Sequence, residues 1–464
     1  MNTVELACDQ AIFTSIRTPT GEGYRIVAAS AGLKSEEKQA ITRNSPSHEA
    51  LCVPPEEAHE QTMAAAFYSL PTGRLCVAFS CLAGAEHTGR GGFRVYTVNV
   101  VFDGAEFCRC AFNPFNVIRA MATTGLTQPA LKPPQVLPKI DLKVALNATP
   151  GAGPCLPAPF GKPYRGRVLE LALASEEVLV DLPQSWIGAA EAILLGLPGE
   201  MRQDVSFSAG LRPSSNRKHR LQFLRDDKNS ARSRVASQGA SYINVADEAP
   251  SVVRDSAWLT FVERHWQVKD FRQLGARTSR TFAGTSPSDL EDAGALYNLI
   301  DSVDTLPAMQ TLELVSAQLR GKQSSANSDL ADEFLARAQA ALNQRMAKAS
   351  LTDWAQAWRP LLGVWRQSPE GSAFAWPVIR SLTQTWLSRD AMSAAEAVLD
   401  LTRDVPAGAN QAELESTIET VLGRLGTEAA RLANAEPGRV DGLLSKWHRV
   451  RPNSPALASI MSNR

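Results

Sequence analysis

The spacing of apolar and polar positions changes character twice along the chain, and each change marks a change of architecture. Ala11 to Arg17 and Tyr24 to Ala29 are two runs with β character on either side of Pro-Thr-Gly-Glu-Gly, which predicts a hairpin. Proline supplies the fixed φ wanted at the second position of a turn, and Gly21 and Gly23 tolerate positive φ where the chain reverses. Ser35 is placed to cap a short helix from Glu36 to about Arg43, whose leading glutamates suit the positive end of the helix dipole. Asn44 and Pro46 stop it. Ala64 to Leu70 and Leu75 to Leu82 form a second predicted hairpin through Pro71-Thr72-Gly73-Arg74, and a strand follows from Phe93 to Phe102. Its period of two sets Val95, Thr97, Asn99 and Val101 on one face. Asn113-Pro114 starts a helix, Phe115 to Thr123, closed by Gly125.

Residues 1–126 therefore read as an α+β domain built on an antiparallel sheet. Residues 127–163 are rich in proline ("QPALKPPQV", "ATPGAGPCLPAPFGKP") and read as a partly extended linker. A second α/β block is expected over 164–275. Its strands are predicted at Val168 to Ala172, Val178 to Leu182, Val205 to Phe207, Leu221 to Leu224 and Ser241 to Val245, with helices over Gln184 to Leu195 and Ser251 to Trp266. From about residue 285 to 464 only the helical period remains. Trp354, Trp358, Leu361 and Trp365 share one helical face, which reads as core before it reads as a binding face. "SPEGS", "PAGAN" and "EPGR" break the later helices into hairpins, as in a bundle or a short solenoid, without a fixed repeat length. The expected fold class is α+β: two antiparallel-sheet α/β blocks followed by an all-α C-terminal domain.

Composition adds limits. At 464 residues the chain exceeds one ordinary core. Lys plus Arg and Asp plus Glu are both 48, so no whole-molecule field draws it to nucleic acid or an anionic membrane, and neither is an expected partner. No apolar run nears the roughly 18 residues that span a bilayer, and the start of the chain, with Glu5 and Asp9, lacks the apolar core of a signal peptide. Seven widely spaced cysteines, an odd number, suit a reducing cytoplasm better than a disulfide framework.

The most site-like stretch is the loop Gly84 to Gly92, "GAEHTGRGG". Its glycines could bring backbone N–H groups close to an anion, with His87 and Arg90 adding charge. It lacks the spacing of a phosphate-binding loop or a dinucleotide fingerprint, and its plain alternative is a strand connection. Cys108 and Cys110 would share a face at a strand end, yet zinc would need a second ligand pair. No nucleophile elbow is present, and His48, His59, His219, His265 and His448 stand in unrelated contexts. No catalytic residue, metal or cofactor is expected. Residues 202–234 hold nine Lys or Arg against three Asp, an excess of six positive charges in a neutral chain. Arg212, Arg217, Lys218 and Arg220 are its candidate contacts for an acidic protein face or a phosphate-bearing ligand.

Three stretches together resemble a known family. "QAIFTSIRTPTGEGYRIVAASAGL" and "GRGGFRVYTVNVVFD" resemble the N-terminal domain of the GTPase-associated protein family of bacterial NTP-dependent conflict systems. "LPGEMRQDVSFSAGLRPSSNRKHRLQFL" is similar to that family's middle domain, so the resemblance spans about residues 7–250. It implies a histidine in the strand after the glycine-rich loop, where this chain has Val98 and Asn99. It also implies a protein partner, a GTPase, for which the chain acts as a non-catalytic adaptor or regulator. The rival expectations are a hydrolase using His87 or a cysteine in a cleft between the α/β blocks, and a structural subunit assembled through its helices. The oligomeric state is left open.

Overall fold

The computed structural model describes residues 3–18, 21–52, 62–86, 92–130, 134–146, 154–158, 160–174, 176–184, 186–225, 239–247, 255–280, 286–321, 327–402, 405 and 411–462. The opening hairpin is formed by β1 (Thr3–Thr18) and β2 (Gly21–Ser30), paired antiparallel from Ala11↔Ala29 to Thr18↔Gly21. β1 starts eight residues earlier than its apolar pattern predicts, and the reason lies in the proline-rich segment. There β7 (Ile140–Ala145) runs antiparallel to the first half of β1, from Thr3↔Ala145 to Cys8↔Ile140. The short β6 (Val136–Leu137) adds in parallel to β2 at Ala29 and Ser30. The segment expected to be a linker thus carries two strands. Leu142 and Val144 are its buried alternate positions, a period of two short enough to be hidden among prolines.

The second hairpin, β3 (Met63–Ser69) and β4 (Leu75–Ala85), and the following β5 (Phe93–Phe102) form as the sequence predicts. Between them and the opening hairpin lies α1 (Ser35–Asn44), and after β5 come a 3-10 helix (Gly104–Cys110) and α2 (Pro114–Thr123). Asn113 caps α2 through its side chain, which accepts from the Phe115 N–H at 3.0 Å.

The middle residues depart from the expected second antiparallel sheet. β8 (Val178–Asp181), β9 (Phe207–Ala209), β10 (Leu221–Leu224) and β11 (Ser241–Asn244) are mutually parallel, and β9 pairs antiparallel with β3. Both groups of strands therefore belong to one mixed sheet, ordered β11-β8-β10-β9-β3-β4-β5-β1-β2-β6 with β7 on β1. β8, β9 and β10 are buried at every position, as parallel strands covered on both faces are. Short continuous apolar runs carry no alternation from which strand direction could be read. The same ambiguity explains α3 (Lys162–Leu173), which replaces the strand expected at Val168 to Ala172. Its Pro163 sits in the first turn, and Val168, Leu169, Leu171 and Ala172 face the core.

The covering helices α4 (Trp186–Leu195), α5 (Gly199–Asp204), α6 (Ala257–Val268) and α7 (Phe271–Thr278) complete this unit. Aromatic rings cross the seam between the two groups of strands. Phe115 stacks on Phe207 with ring centres 4.9 Å apart, and Phe67 lies tilted against the same Phe207 ring at 6.1 Å. A buried polar link does the same. Arg119 of α2 makes two 2.8 Å bonds to the Glu191 carboxylate of α4, which also accepts from Asn113 at 2.9 Å. On the opposite face of the sheet, α1 packs through Ile41 against a core that includes Ala11, Ala66, Tyr68, Cys76 and Val101.

Residues 1–286 form one compact unit and residues 287–464 another. The second unit consists of α8 (Pro287–Ser302), α9 (Ala308–Arg320), α10 (Ser328–Lys348), α11 (Leu351–Gln367), α12 (Pro369–Arg389), α13 (Ala391–Leu401), α14 (Gln411–Ala435), α15 (Pro437–Val450) and α16 (Pro455–Ser462). From α11 onward each helix packs on the next. Alternate helices also meet, as α8 does α10, α9 does α11 and α14 does α16, the contact pattern of a solenoid. Trp354, Trp358 and Trp365 of α11 are buried, and Trp386 of α12 packs against the first two with ring centres 5.6 and 5.4 Å away. The tryptophan stripe is core. Among the described residues, no helix is long and apolar enough to cross a membrane.

Candidate partner-binding surface

The turn that recurs at Pro71-Thr72-Gly73 is structural. Gly73 holds φ at +81°, which lets the chain reverse and points its neighbours at α1. Thr72 donates to Glu37 Oε1 at 2.6 Å, and Arg74 reaches both Glu37 at 3.4 Å and Asp9 at 2.6 Å. The Lys34 N–H closes the far side of the same carboxylate at 2.8 Å. Burial alone would raise the Glu37 pKa, but the bonds from Thr72 and Lys34 and the Arg74 cation outweigh it and hold the group below its ordinary value. Gly32 is needed for the same assembly, since a Cβ there would stand 2.6 Å from Asp9 Oδ1. These contacts fix α1 over the sheet.

The glycine-rich loop is anchored at both ends. Glu86 N–H donates to Gly92 O at 3.1 Å, and the Glu86 carboxylate accepts from Ser15 Oγ at 2.9 Å and Tyr24 Oη at 2.6 Å. Tyr24 Oη in turn accepts from the Val95 N–H at 3.0 Å. Burial, and then the bond to Glu86, push the Tyr24 phenol up, so it stays a donor. This cluster ties loop, hairpin and strand together. His87 and Arg90 lie outside the described residues, and so does any contact they make. The two cysteines expected to share a face do not: Cys108 is exposed and Cys110 buried, because a 3-10 helix carries them where a strand was predicted. Among the described residues, no group of three or more His, Cys, Asp or Glu is gathered as metal ligands.

The basic segment divides. Arg212 and Lys218 are exposed. Arg217 and Arg220 are half-buried, with guanidinium groups donating to the carbonyls of Arg212 and Ala172, each at 3.2 Å. Burial lowers the pKa of both. Arg202 is interior and binds the carbonyls of Leu197 at 3.0 Å and Leu195 at 3.1 Å and the Thr278 hydroxyl, and burial brings its pKa down to about 9. Lys228, Arg232 and Arg234 lie outside the described residues. One member whose burial sequence reasoning missed is His219. It is 1% exposed, 6.0 Å from the Tyr68 ring, with both ring nitrogens unbonded among the described residues, and burial, then Arg217, bring its pKa to about 4. Only its position before the apolar β10 hinted at burial.

A concavity at the surface of this unit lies elsewhere, between β2 and α1. It is a groove of about 670 Å³ floored by residues 26–29 and walled by Ser35, Lys38, Gln39, Thr42 and Arg43 of α1. Near Ala29 it is bounded by Gln135, whose carbonyl accepts from the Ala29 N–H at 3.3 Å. Beside it, β2 is paired along one edge by β1, while its other edge meets only β6, at Ala29 and Ser30, among the described residues.

Residues 7–141, which contain β2, α1 and the glycine-rich loop, match the family model described as GTPase-associated protein 1, N-terminal domain type 2. This segment is similar to the N-terminal domain of GTPase-associated proteins. The match ends inside β7, so the matched residues supply most of the antiparallel part of the sheet and both the floor and the α1 wall of the groove. The wider resemblance drawn from the sequence, to about residue 250, extends past the matched residues. No curated protein and no solved structure matches the chain.

Proposed function

We propose that the chain is a non-catalytic adaptor or regulator that binds a partner GTPase, acting in the cytoplasm as part of a bacterial conflict or defence system. The observation that carries this reading is the family match over residues 7–141, whose description names association with a GTPase. Other features are compatible with it. The polar clusters around Glu37 and Glu86 are bonded internally and spent on positioning backbone. All seven cysteines are free thiols, as a reducing compartment keeps them.

An adaptor senses a nucleotide switch only by binding its two states unequally, and a tenfold preference corresponds to about 1.4 kcal/mol. The test is co-purification of the full chain with any GTPase encoded in the neighbouring genes, loaded either with GDP or with a non-hydrolysable GTP analogue. Retention in one state at least about tenfold above the other is expected for a regulator, and equal retention for an adaptor insensitive to the switch. No retention in either state removes the reading.

A further inference from the structure

α1 lays an unusual face along the β2 groove. Ser35, Lys38, Gln39, Thr42 and Arg43 recur at the i, i+3, i+4, i+7, i+8 spacing of one helical stripe. The opposite stripe, with Glu37 and Ile41, is the one buried against the sheet. A polar stripe on a surface helix ordinarily faces open water. Here it forms one wall of a channel whose floor is the half-buried apolar run Ile26 to Ala29. The wall carries two cations, Lys38 and Arg43; among the described residues neither has an ion-pair partner and no carboxylate lines the groove. Their charge is held in place because α1 itself is clamped through Glu37 to Thr72 and Arg74.

The backbone beside the channel is also available. Among the described residues, no strand lies against the outer edge of β2 over residues 22–28, and β6 reaches only its last two residues. An unpaired strand edge offers a row of N–H and C=O groups that another extended segment can satisfy. Main-chain pairing of this kind supplies affinity, and pockets for alternate side chains supply specificity.

We propose that the β2–α1 groove receives an extended acidic segment of a protein partner, added to the sheet as a strand against β2. Successive side chains of such a strand point to opposite faces of the sheet. One alternate set rises on the α1 side, where acidic residues meet Lys38 and Arg43, while the other set lies on the far face and extends its apolar surface. The segment it fits therefore alternates acidic and apolar residues. This deepens the adaptor reading and rests on it only for whose segment is bound.

The test uses the full chain and an end-blocked eight-residue peptide of alternating Glu and Val, with a Lys–Val peptide of equal length as control. Fluorescence anisotropy is expected to show saturable binding of the Glu–Val peptide, at least tenfold tighter than the control. Methylating alternate backbone nitrogens of the peptide should weaken binding at least tenfold, since it removes main-chain donors and leaves every charge. Lys38→Glu with Arg43→Glu should do the same, and circular dichroism checks that the double variant is folded. Absence of binding, equal binding of the Lys–Val peptide, or indifference to methylation overturns the proposal. So does a concentration-dependent dimer of the chain that excludes the peptide, which would give the edge to a second copy. Co-purification of the double variant with the GTPase separates the two readings. Loss of the GTPase from the double variant alone supports the groove as its contact. Retention by the variant overturns the groove as that contact and leaves the adaptor standing. Failure of the unaltered chain to retain the GTPase removes the adaptor reading, and the peptide result then decides the groove by itself.

Discussion

At the scale of single residues, polar side chains under the sheet decide more than their number implies. His219 is the clearest case, a neutral imidazole placed where water does not reach either nitrogen. Its folded pKa of about 4 lies below the ordinary value of 6.5, so the unfolded chain takes up a proton before the folded one does. Above pH 6.5 its contribution is complete, and it is lost as pH falls from 6.5 towards 4, by an amount on the order of 3 kcal/mol. Urea unfolding of the 1–286 unit at pH 7 and pH 4.5 should show this loss, and His219→Leu should reduce the difference between the two. An unchanged difference would place the titration elsewhere. The sequence named this histidine without its environment, because burial was set by residues far away in the chain. Arg212 and Lys218 were legible as surface cations. Arg202, counted with them, is interior, and charge alone could not separate the two fates.

At the scale of elements, local chemistry was legible and pairing was not. β5 spans the predicted residues 93–102, and the hairpin across Pro71-Thr72-Gly73-Arg74 forms as expected. Alternation and turn residues lie within each segment and act at short range. β7 was lost because its partner, the start of β1, is more than a hundred residues away. α1 was read correctly as a helix, but its polar stripe could not be known to wall a channel until β2 was beside it. The placing of α1 depends on Arg74, whose two carboxylate partners come from β1 and α1. Arg74→Met keeps most of the stem and removes the charge, leaving Asp9 and Glu37 with an uncompensated buried site. A loss of roughly 3 kcal/mol is expected by chemical denaturation, together with weaker binding of the Glu–Val peptide. A variant of unchanged stability would show that α1 is held by its apolar face alone.

At the scale of the whole molecule, the continuous sheet alters where the chain can be divided. Residues 1–126 read as a domain, but ending the chain there removes β9 from β3, β7 from β1 and Glu191 from Arg119. The Phe67 and Phe115 rings would lose Phe207 as well. A 1–126 fragment is therefore expected to unfold without a cooperative transition or to aggregate, and a 1–286 fragment to unfold cooperatively, as calorimetry can show. A sharp transition from the shorter piece would restore the sequence-based division.

The junction of β3 with β9 has one more consequence. Amides at Ala65, Phe67, Phe207 and Ala209 lie mid-sheet, with neighbouring strands on either side of both β3 and β9. Solvent deuterium can reach them only when the two halves part, so residues some 140 positions apart in the chain should acquire label at a common pace.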